Sequence, residues 1–376
     1  MNVATLPRVV FGVCIGIMAV LLLIIHRRRK QQTHFMATKE HYVSRALLRR
    51  FARKKLIETY NIKHGKWNAT SIKTVFFSVG YNQLLAFGKV DNTLDAEFKK
   101  LENSLPKTLA ALDDAATKTT TILDAKVYEH LCWYCAFLWQ MSPFAKAASP
   151  VNFVTQLELD LKHGNVDMLK ALGHSERNIA EIKKHYAAGH RFIITGRNFL
   201  QLVYRIQFAE RCKATYSQFR HSTKWTVYNS PIELPISDIA MAQYQDMITR
   251  TVVYILPIAP KLVLFGALKL GDNLVSSNDT IIKGDTLPAD AAEDILDIIC
   301  KSAFYRVGSQ NRIGDINGFR QRAAKKKVAF VKMNQLEAVL SAGLKPIESE
   351  KDFLITPSTR IEQIRFITSW ISPDNT

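Results

Sequence analysis

The chain has 376 residues, 47% of them hydrophobic and 10% aromatic, and carries a formal net charge of +18. That apolar content excludes a disordered tail, and a chain of this length can build one large domain or two packed lobes. Five cysteines, at 14, 132, 135, 212 and 300, are odd in number and irregular in spacing, which argues against a disulfide framework and fits a reducing compartment.

The first element is Val9 to Ile25, VVFGVCIGIMAVLLLII, seventeen residues without a charge. At about 1.5 Å per residue it reaches roughly 26 Å, enough to cross a thin hydrocarbon core. A cleaved signal peptide would have a shorter core followed by small residues, but Arg27 to Lys30 stand at that place. A globular core helix would show a polar face, and this run has none. It therefore predicts a single-pass transmembrane helix, with residues 1–30 as anchor and basic stop. One basic residue, Arg8, precedes the run and four follow it, so the charge asymmetry predicts residues 31–376 on the cytoplasmic side of a cell membrane. Gly12 and Gly16 form a G-x-x-x-G pair that offers a homodimer contact between two such helices.

Between residues 26 and 55 stand eleven basic residues and one acid, Glu40, a net of +10. Over half of the chain's charge thus lies in one collar beside the predicted anchor. Attraction to anionic lipid headgroups is the favoured reading; a nucleic-acid face is its rival. The polar stretch 31–40 predicts a linker. His41 to Ala52 carries apolar residues at Val43, Ala46, Leu47, Leu48 and Phe51, the spacing of a basic amphipathic helix. In that helix Arg45, Arg49 and Arg53, four apart, would share a face, with Arg50, Lys54 and Lys55 beside them.

From Lys55 onward the pattern predicts two strands, 55–60 and 74–77, with His64-Gly65-Lys66 as a hairpin turn. Residues 94–190 read as helical, with one segment ending near Pro143 and shorter helices at about 151–162, 175–188 and 196–212. After residue 214 the texture is β-rich, with strands expected at 224–229, 232–236, 250–256 and 261–265. Pro257 and Pro260 suggest a turn. Helices follow at 289–305 and 313–326, and further strands at 328–332 and 353–355. The fold class is α+β: a mixed domain at 41–333 with a helical middle and a β-rich C-terminal half, and a C-terminal extension at 334–376 packing on it.

His41-Tyr42-Val43 followed by Leu47-Leu48-Arg49-Arg50-Phe51-Ala52 resembles the opening motif of a large, mostly bacterial family, domain of unknown function 4238. Gly65-Lys66, Glu102, Gln140-Met141-Ser142-Pro143, Tyr228-Asn229-Ser230-Pro231-Ile232, Ile255 to Pro260 and Asn317 resemble its later motifs in the same order. The departures fall at Ser44, Arg45, Met141, Asn229 and Ser230, where the family has Pro, Gln, Arg, Asp and Asn. The resemblance implies no established chemistry. If the family's polar positions form an active site, this chain lacks a carboxylate and a guanidinium there.

Each candidate for chemistry has a plainer rival. His41 could act as a general base or metal ligand, but no carboxylate partner is visible, and hydrogen bonding to a neighbouring loop is the favoured reading. Cys132 and Cys135 form a C-x-x-C inside an apolar helix, the setting of buried core thiols. Asp290, Glu293, Asp294 and Asp297 at helical spacing suit a solvated face opposite Ile295, Ile298 and Ile299. For Arg320, Arg322, Lys325, Lys326 and Lys327, phosphate binding and a solvated helix end both stand. No phosphate-cradling glycine loop, serine elbow or H-E-x-x-H occurs, so neither cofactor nor metal is expected. The leading expectation is a membrane-anchored binding module for an anionic ligand or partner. One alternative is a hydrolase or nuclease-like enzyme on a phosphate-bearing substrate, using His41, Asn229 and Asn317. A scaffold dimerised through its anchor is the other.

Overall fold

The computed structural model describes residues 39–325, apart from 80, 83, 87–88, 119, 172–173, 190, 195–196, 247–249 and 270–279, together with a strand at 352–355. The expected span Val9 to Ile25, the basic stop, residues 31–38 of the expected linker, the expected strand at 328–332 and most of the C-terminal extension lie outside the described residues. Among the described residues no helix is long and apolar enough to cross a membrane. The fold is mixed α+β.

In chain order the first part comprises β1 (Lys39–His41), α1 (Arg45–Leu48) running into a 3-10 turn at Arg49–Phe51, β2 (Leu56–Asn61), β3 (Lys66–Ser71), β4 (Phe77–Val79), β5 (Leu84–Ala86) and β6 (Lys89–Asp91). A helical middle follows: α2 (Thr93–Ala115), β7 (Thr120–Ile122), α3 (Ala125–Met141), α4 (Pro143–Lys162), α5 (Asp167–Ala171), α6 (Glu176–Ala187), β8 (Arg191–Ile194) and α7 (Arg197–His221). The last part holds β9 (Lys224–Asn229), β10 (Ile236–Ser237), β11 (Ala242–Asp246), β12 (Thr251–Ala259), β13 (Leu262–Lys269), β14 (Thr280–Lys283), α8 (Ala289–Ser302), β15 (Arg306–Ser309), α9 (Ile316–Lys325) and β16 (Asp352–Ile355).

A six-stranded sheet in the order β11-β12-β13-β9-β14-β7 divides the molecule. Strand residues alternate faces, and β12 shows what that does here. Val252, Tyr254, Leu256 and Ile258 enter one core, with Tyr134, Phe137, Tyr204, Phe208 and Phe219 from the long helices. Val253 and Ile255 enter a second, with Ile295, Ile299 and Ile316 of α8 and α9 and with Tyr60 and Val307 of a four-stranded sheet, β10-β15-β2-β3. A strand buried on both faces must be apolar throughout, hence the unbroken run Val252 to Ile258. Pro257 lies inside β12, opposite Val263 and at a register shift, so the expected turn at Pro257 is corrected. The ladder to β11 ends at Ile255, so on that side the missing proline N–H leaves no bond unmade.

Helix boundaries follow from capping. Asp124 accepts from the N–H groups of Lys126 (3.0 Å) and Val127 (3.3 Å) and starts α3. Ser142 ends α3 and starts α4: its hydroxyl accepts from Ala145 N–H at 3.2 Å, and Pro143 occupies the first turn, where a missing N–H is harmless. That helix therefore begins well before the expected 151. The hairpin turn at His64-Gly65 is as expected, with Gly65 at φ +63°, but the partner of β2 is Lys66–Ser71 rather than 74–77. That edge strand is exposed or half-buried throughout and carries no apolar alternation. Phe77 pairs instead with His41.

Gly266 of β13 faces Trp225 of β9. A Cβ at Gly266 would meet Trp225 Cζ3 at 2.7 Å and Thr223 Cγ2 at 2.8 Å. Trp225 is fully buried, so the ring has nowhere to move. Gly266→Ala is expected to cost about 1–3 kcal/mol by overpacking, read as a lower midpoint in urea unfolding.

Candidate functional site

The segment from Glu40 to Lys55 holds most of the residues that the sequence singles out, and it is fastened to the body at several points. Tyr42 is buried; its N–H donates to Phe76 C=O at 3.1 Å, and its ring lies 5.0 Å from that of Tyr81. Ser44 caps α1 by accepting from Ala46 N–H at 3.1 Å. Glu102 of α2 reaches the same helix start, accepting from Arg45 N–H at 3.3 Å. Val43, Leu47, Leu48 and Phe51 are fully buried. The expected amphipathic helix over 41–52 is corrected to a strand, one turn of α-helix and one 3-10 turn, because His41 is engaged in the ladder with Phe77.

The turn at Arg53–Leu56 is tight. Arg53 N–H donates to Leu56 C=O at 2.7 Å and Leu56 N–H to Arg53 C=O at 3.0 Å. Between them Lys54 and Lys55 stand at φ +51° and +68°, the backbone of a type I′ turn, which Asn-Gly ordinarily fills. Two lysines there cost about 1–3 kcal/mol each in backbone strain. Arg45, Arg49, Arg53, Lys54 and Lys55 are exposed. Arg50 differs: its guanidinium grips Asp113 of α2 at 2.5 and 3.0 Å, so it serves as a staple and leaves the surface set. Arg45, Arg49 and Arg53 do not ride on one continuous helix, since Arg53 follows extended Ala52, but all three reach solvent.

His41 is half-buried against Phe77, ring centroids 6.0 Å apart. Burial pushes its pKa down, as does Arg45, against hydrogen bonding with the backbone of Ile72 and Lys73, so the ring is neutral near pH 7. Asn229 ends β9, its C=O accepting from Leu287 N–H at 2.9 Å. Asn317 is exposed in the first turn of α9, its N–H donating to Asp315 Oδ1 at 3.0 Å. Among the described residues no hydrogen bond, ion pair or ring contact joins any two of these three. No group of three or more His, Cys, Asp or Glu side chains there could hold a metal ion.

Three features escaped the sequence reading. Glu40 is buried and accepts from the Asn82 N–H, while Arg205 of α7 donates to Asn82 C=O at 2.5 Å. Burial raises the Glu40 pKa above the ordinary range, opposed by the Asn82 N–H, Lys146 and Arg205. Lys146 of α4 lies 3.7 Å from the Tyr81 ring centroid and bonds Tyr81 C=O. The only signal in the sequence was a cation in an apolar setting, Arg205 in LVYRIQF. Asp297 is 1% exposed and bonded to Arg322 at 2.8 and 3.2 Å, which corrects the solvated-face reading at that position. Arg320 donates to Cys300 C=O and Ala303 C=O, both at 2.9 Å, closing the end of α8. The second basic run is thus partly structural.

With the geometry in place, the comparison with known families decides membership. Residues 39–334 match the family described as Protein of unknown function (DUF4238). The chain belongs to this family. No curated protein and no solved structure matches it. In this DUF4238 chain the opening motif is chiefly a fastening: Tyr42, Val43, Leu47, Leu48 and Phe51 fill the core, and Glu102 caps the helix that they form. The Cys132 and Cys135 thiols are buried in that same core, and burial pushes Cys135 well above the ordinary thiol range.

Asp238 anchors the loop before β15. Its carboxylate accepts from the N–H groups of Phe304 (2.8 Å), Tyr305 (2.5 Å) and Arg306 (3.1 Å). Burial outweighs these bonds and lifts its pKa from 3.8 to about 6. The folded state therefore binds the proton more tightly than the unfolded one. The associated stability is fully present below about pH 3.8 and is lost as pH rises through about 6. Asp238→Asn cannot titrate, so the stability of the parent relative to that variant should fall as pH rises from 4 to 6 in urea titrations. Asp238→Ala, which leaves three partly buried N–H groups without their acceptor, should unfold more readily than the Asn variant at every pH.

Proposed function

We propose that this chain is a membrane-tethered binding module whose basic ridge recognises an anionic ligand or partner without catalysis. The carrying observation is that Arg45, Arg49, Arg53, Lys54 and Lys55 are exposed and make no ion pair among the described residues, whereas Arg50, Arg312 and Arg322 are each paired with a carboxylate of the domain. Charges left unmatched, two of them on a strained turn, are held at a cost to the fold and favour an external anion. The tether is the apolar run Val9 to Ile25, which supports a single span with the domain on the cytoplasmic face.

The tether is tested by fractionation. The full chain should pellet with membranes and resist salt and alkali washes, and protease outside intact cells should leave residues 31–376 uncut. A soluble chain, or cleavage there, overturns it. The ridge is tested with the full chain in non-ionic detergent and a fluorescent short-chain phosphatidylserine, read by anisotropy. Binding should weaken sharply with salt, since screening acts over about 8 Å at physiological ionic strength. Arg45→Gln, Arg49→Gln and Arg53→Gln together should cost roughly 3 kcal/mol of binding and change folding stability by no more than about 0.5 kcal/mol. Equal binding of a phosphatidylcholine analogue, or unaltered binding by the triple variant, would reject the ridge.

A further inference from the structure

We infer that the partner of the ridge is the interface of an anionic lipid bilayer, and that the turn Arg53–Leu56 enters it, carrying the Leu56 side chain to the acyl boundary. This rests on the ridge reading above and adds to it the class of partner and the depth of contact.

Leu56 is 47% exposed, one of four large apolar side chains in the open among the described residues, with Ile122, Leu159 and Tyr305. Of the four it is the one seated in the ridge, directly after Arg53, Lys54 and Lys55. A single exposed leucine is ordinary on a protein surface; its neighbours and its rigidity give this one meaning. Leu56 shares both backbone bonds with Arg53 and pairs with Ser71, while Lys55 C=O accepts from Ile72 N–H at 3.2 Å. The side chain is thus presented from a braced hairpin edge. The two central turn positions would be relaxed by Asn-Gly, yet both carry cations at positive φ.

An exposed apolar side chain beside a cationic turn matches a bilayer interface: the charges meet headgroup phosphates and the leucine passes into the boundary with the acyl chains. A nucleic acid would satisfy the charges equally, but Leu56 offers bases no aromatic face to stack on. Reach agrees as well. Thirteen residues separate Ile25 from Lys39, which span at most about 45 Å when extended, so a domain tethered by that run stays beside the membrane that holds it.

The test uses the full chain with Cys14→Ser and Leu56→Cys, reconstituted in vesicles and labelled at position 56 with a polarity-sensitive nitrobenzoxadiazole dye. Cys132, Cys135, Cys212 and Cys300 are buried and stay unlabelled in the folded protein. In phosphatidylcholine–phosphatidylglycerol vesicles the emission should shift to the blue and be quenched by lipids brominated on their acyl chains. In phosphatidylcholine alone neither should occur. Lys54→Asn with Lys55→Gly, which suits the turn better, should raise the unfolding midpoint yet lower the ratio of inserted to free label about thirtyfold. Quenching by headgroup nitroxide lipids without acyl-chain quenching overturns the insertion and leaves the ridge reading standing. No quenching by either lipid overturns both. Release of the label by single-stranded RNA at physiological salt overturns the bilayer as partner, and undiminished insertion of the Asn-Gly variant overturns the role of the two lysines.

Discussion

The fold depends on one sheet being buried on both faces. Strand β12 sends Val252, Tyr254, Leu256 and Ile258 into the core beneath the long helices and Val253 and Ile255 into the core beneath α8 and α9. Neither core closes without it, since a helix or a sheet with one apolar face must bury that face against another element. The position of Gly266 belongs to the same constraint: the indole of Trp225 occupies the space that a Cβ there would need. The small four-stranded sheet draws its strands from both sides of the helical middle in sequence, β2 and β3 before it and β10 and β15 after it, and brings Tyr60 and Val307 into the second core.

The N-terminal segment is the next dependency, because it crosses between layers. Its apolar residues join the first core, Tyr42 packs against Phe76 and Tyr81, and Arg50 and Glu102 tie it to α2 from both directions. The Asp238 carboxylate acts on Tyr42 electrostatically while it gathers the loop at Phe304–Arg306. The motif by which the family is recognised therefore has a physical reading that needs no chemistry. An extended strand must turn at once into a short helix, and a helix of four residues is too short to hold itself. Capping from Ser44 and Glu102, with three large side chains in the core, supplies the missing stability.

How much of this was legible follows from which forces act locally. Strand 224–229, the parts of the two long strands at 251–256 and 262–265, and the helices with apolar stripes announced themselves, because burial writes its period into the sequence, whereas the continuation of β12 through Pro257 did not. Strand β3 did not: its Lys-Trp-Asn-Ala-Thr-Ser sequence lies on an open edge, paired on one side with β2 and exposed or half-buried throughout. Strands β7, β14 and β15 are only three or four residues long and borrow their order from neighbours. Of the candidate site, the basic collar was readable as a composition, but the pairing of Arg50 with Asp113 and of Arg322 with Asp297 joins residues far apart in the chain. The cluster of Glu40, Asn82, Lys146 and Arg205 draws on four separate segments, and no local pattern marks it.

Those pairings sort the chain's excess of positive charge. Arg320 is used to close a helix end, Arg322 to neutralise a carboxylate that is otherwise buried, and Arg50 to fix the opening segment. Removing Arg320 or Arg322 leaves a buried group without its partner, so those two charges are conditions of folding, while Arg50 pairs with the exposed Asp113. Arg45, Arg49, Arg53, Lys54 and Lys55 satisfy no such condition, and the backbone would be more relaxed with other residues at 54 and 55. A net charge of +18 by itself says only that the chain repels its own copies and attracts anions. Among the cations that the fold does not consume, these five form a compact exposed set on one braced turn and the helix before it. It lies at the end of the domain where the chain arrives from its most apolar run, and there the surplus charge has a place to act.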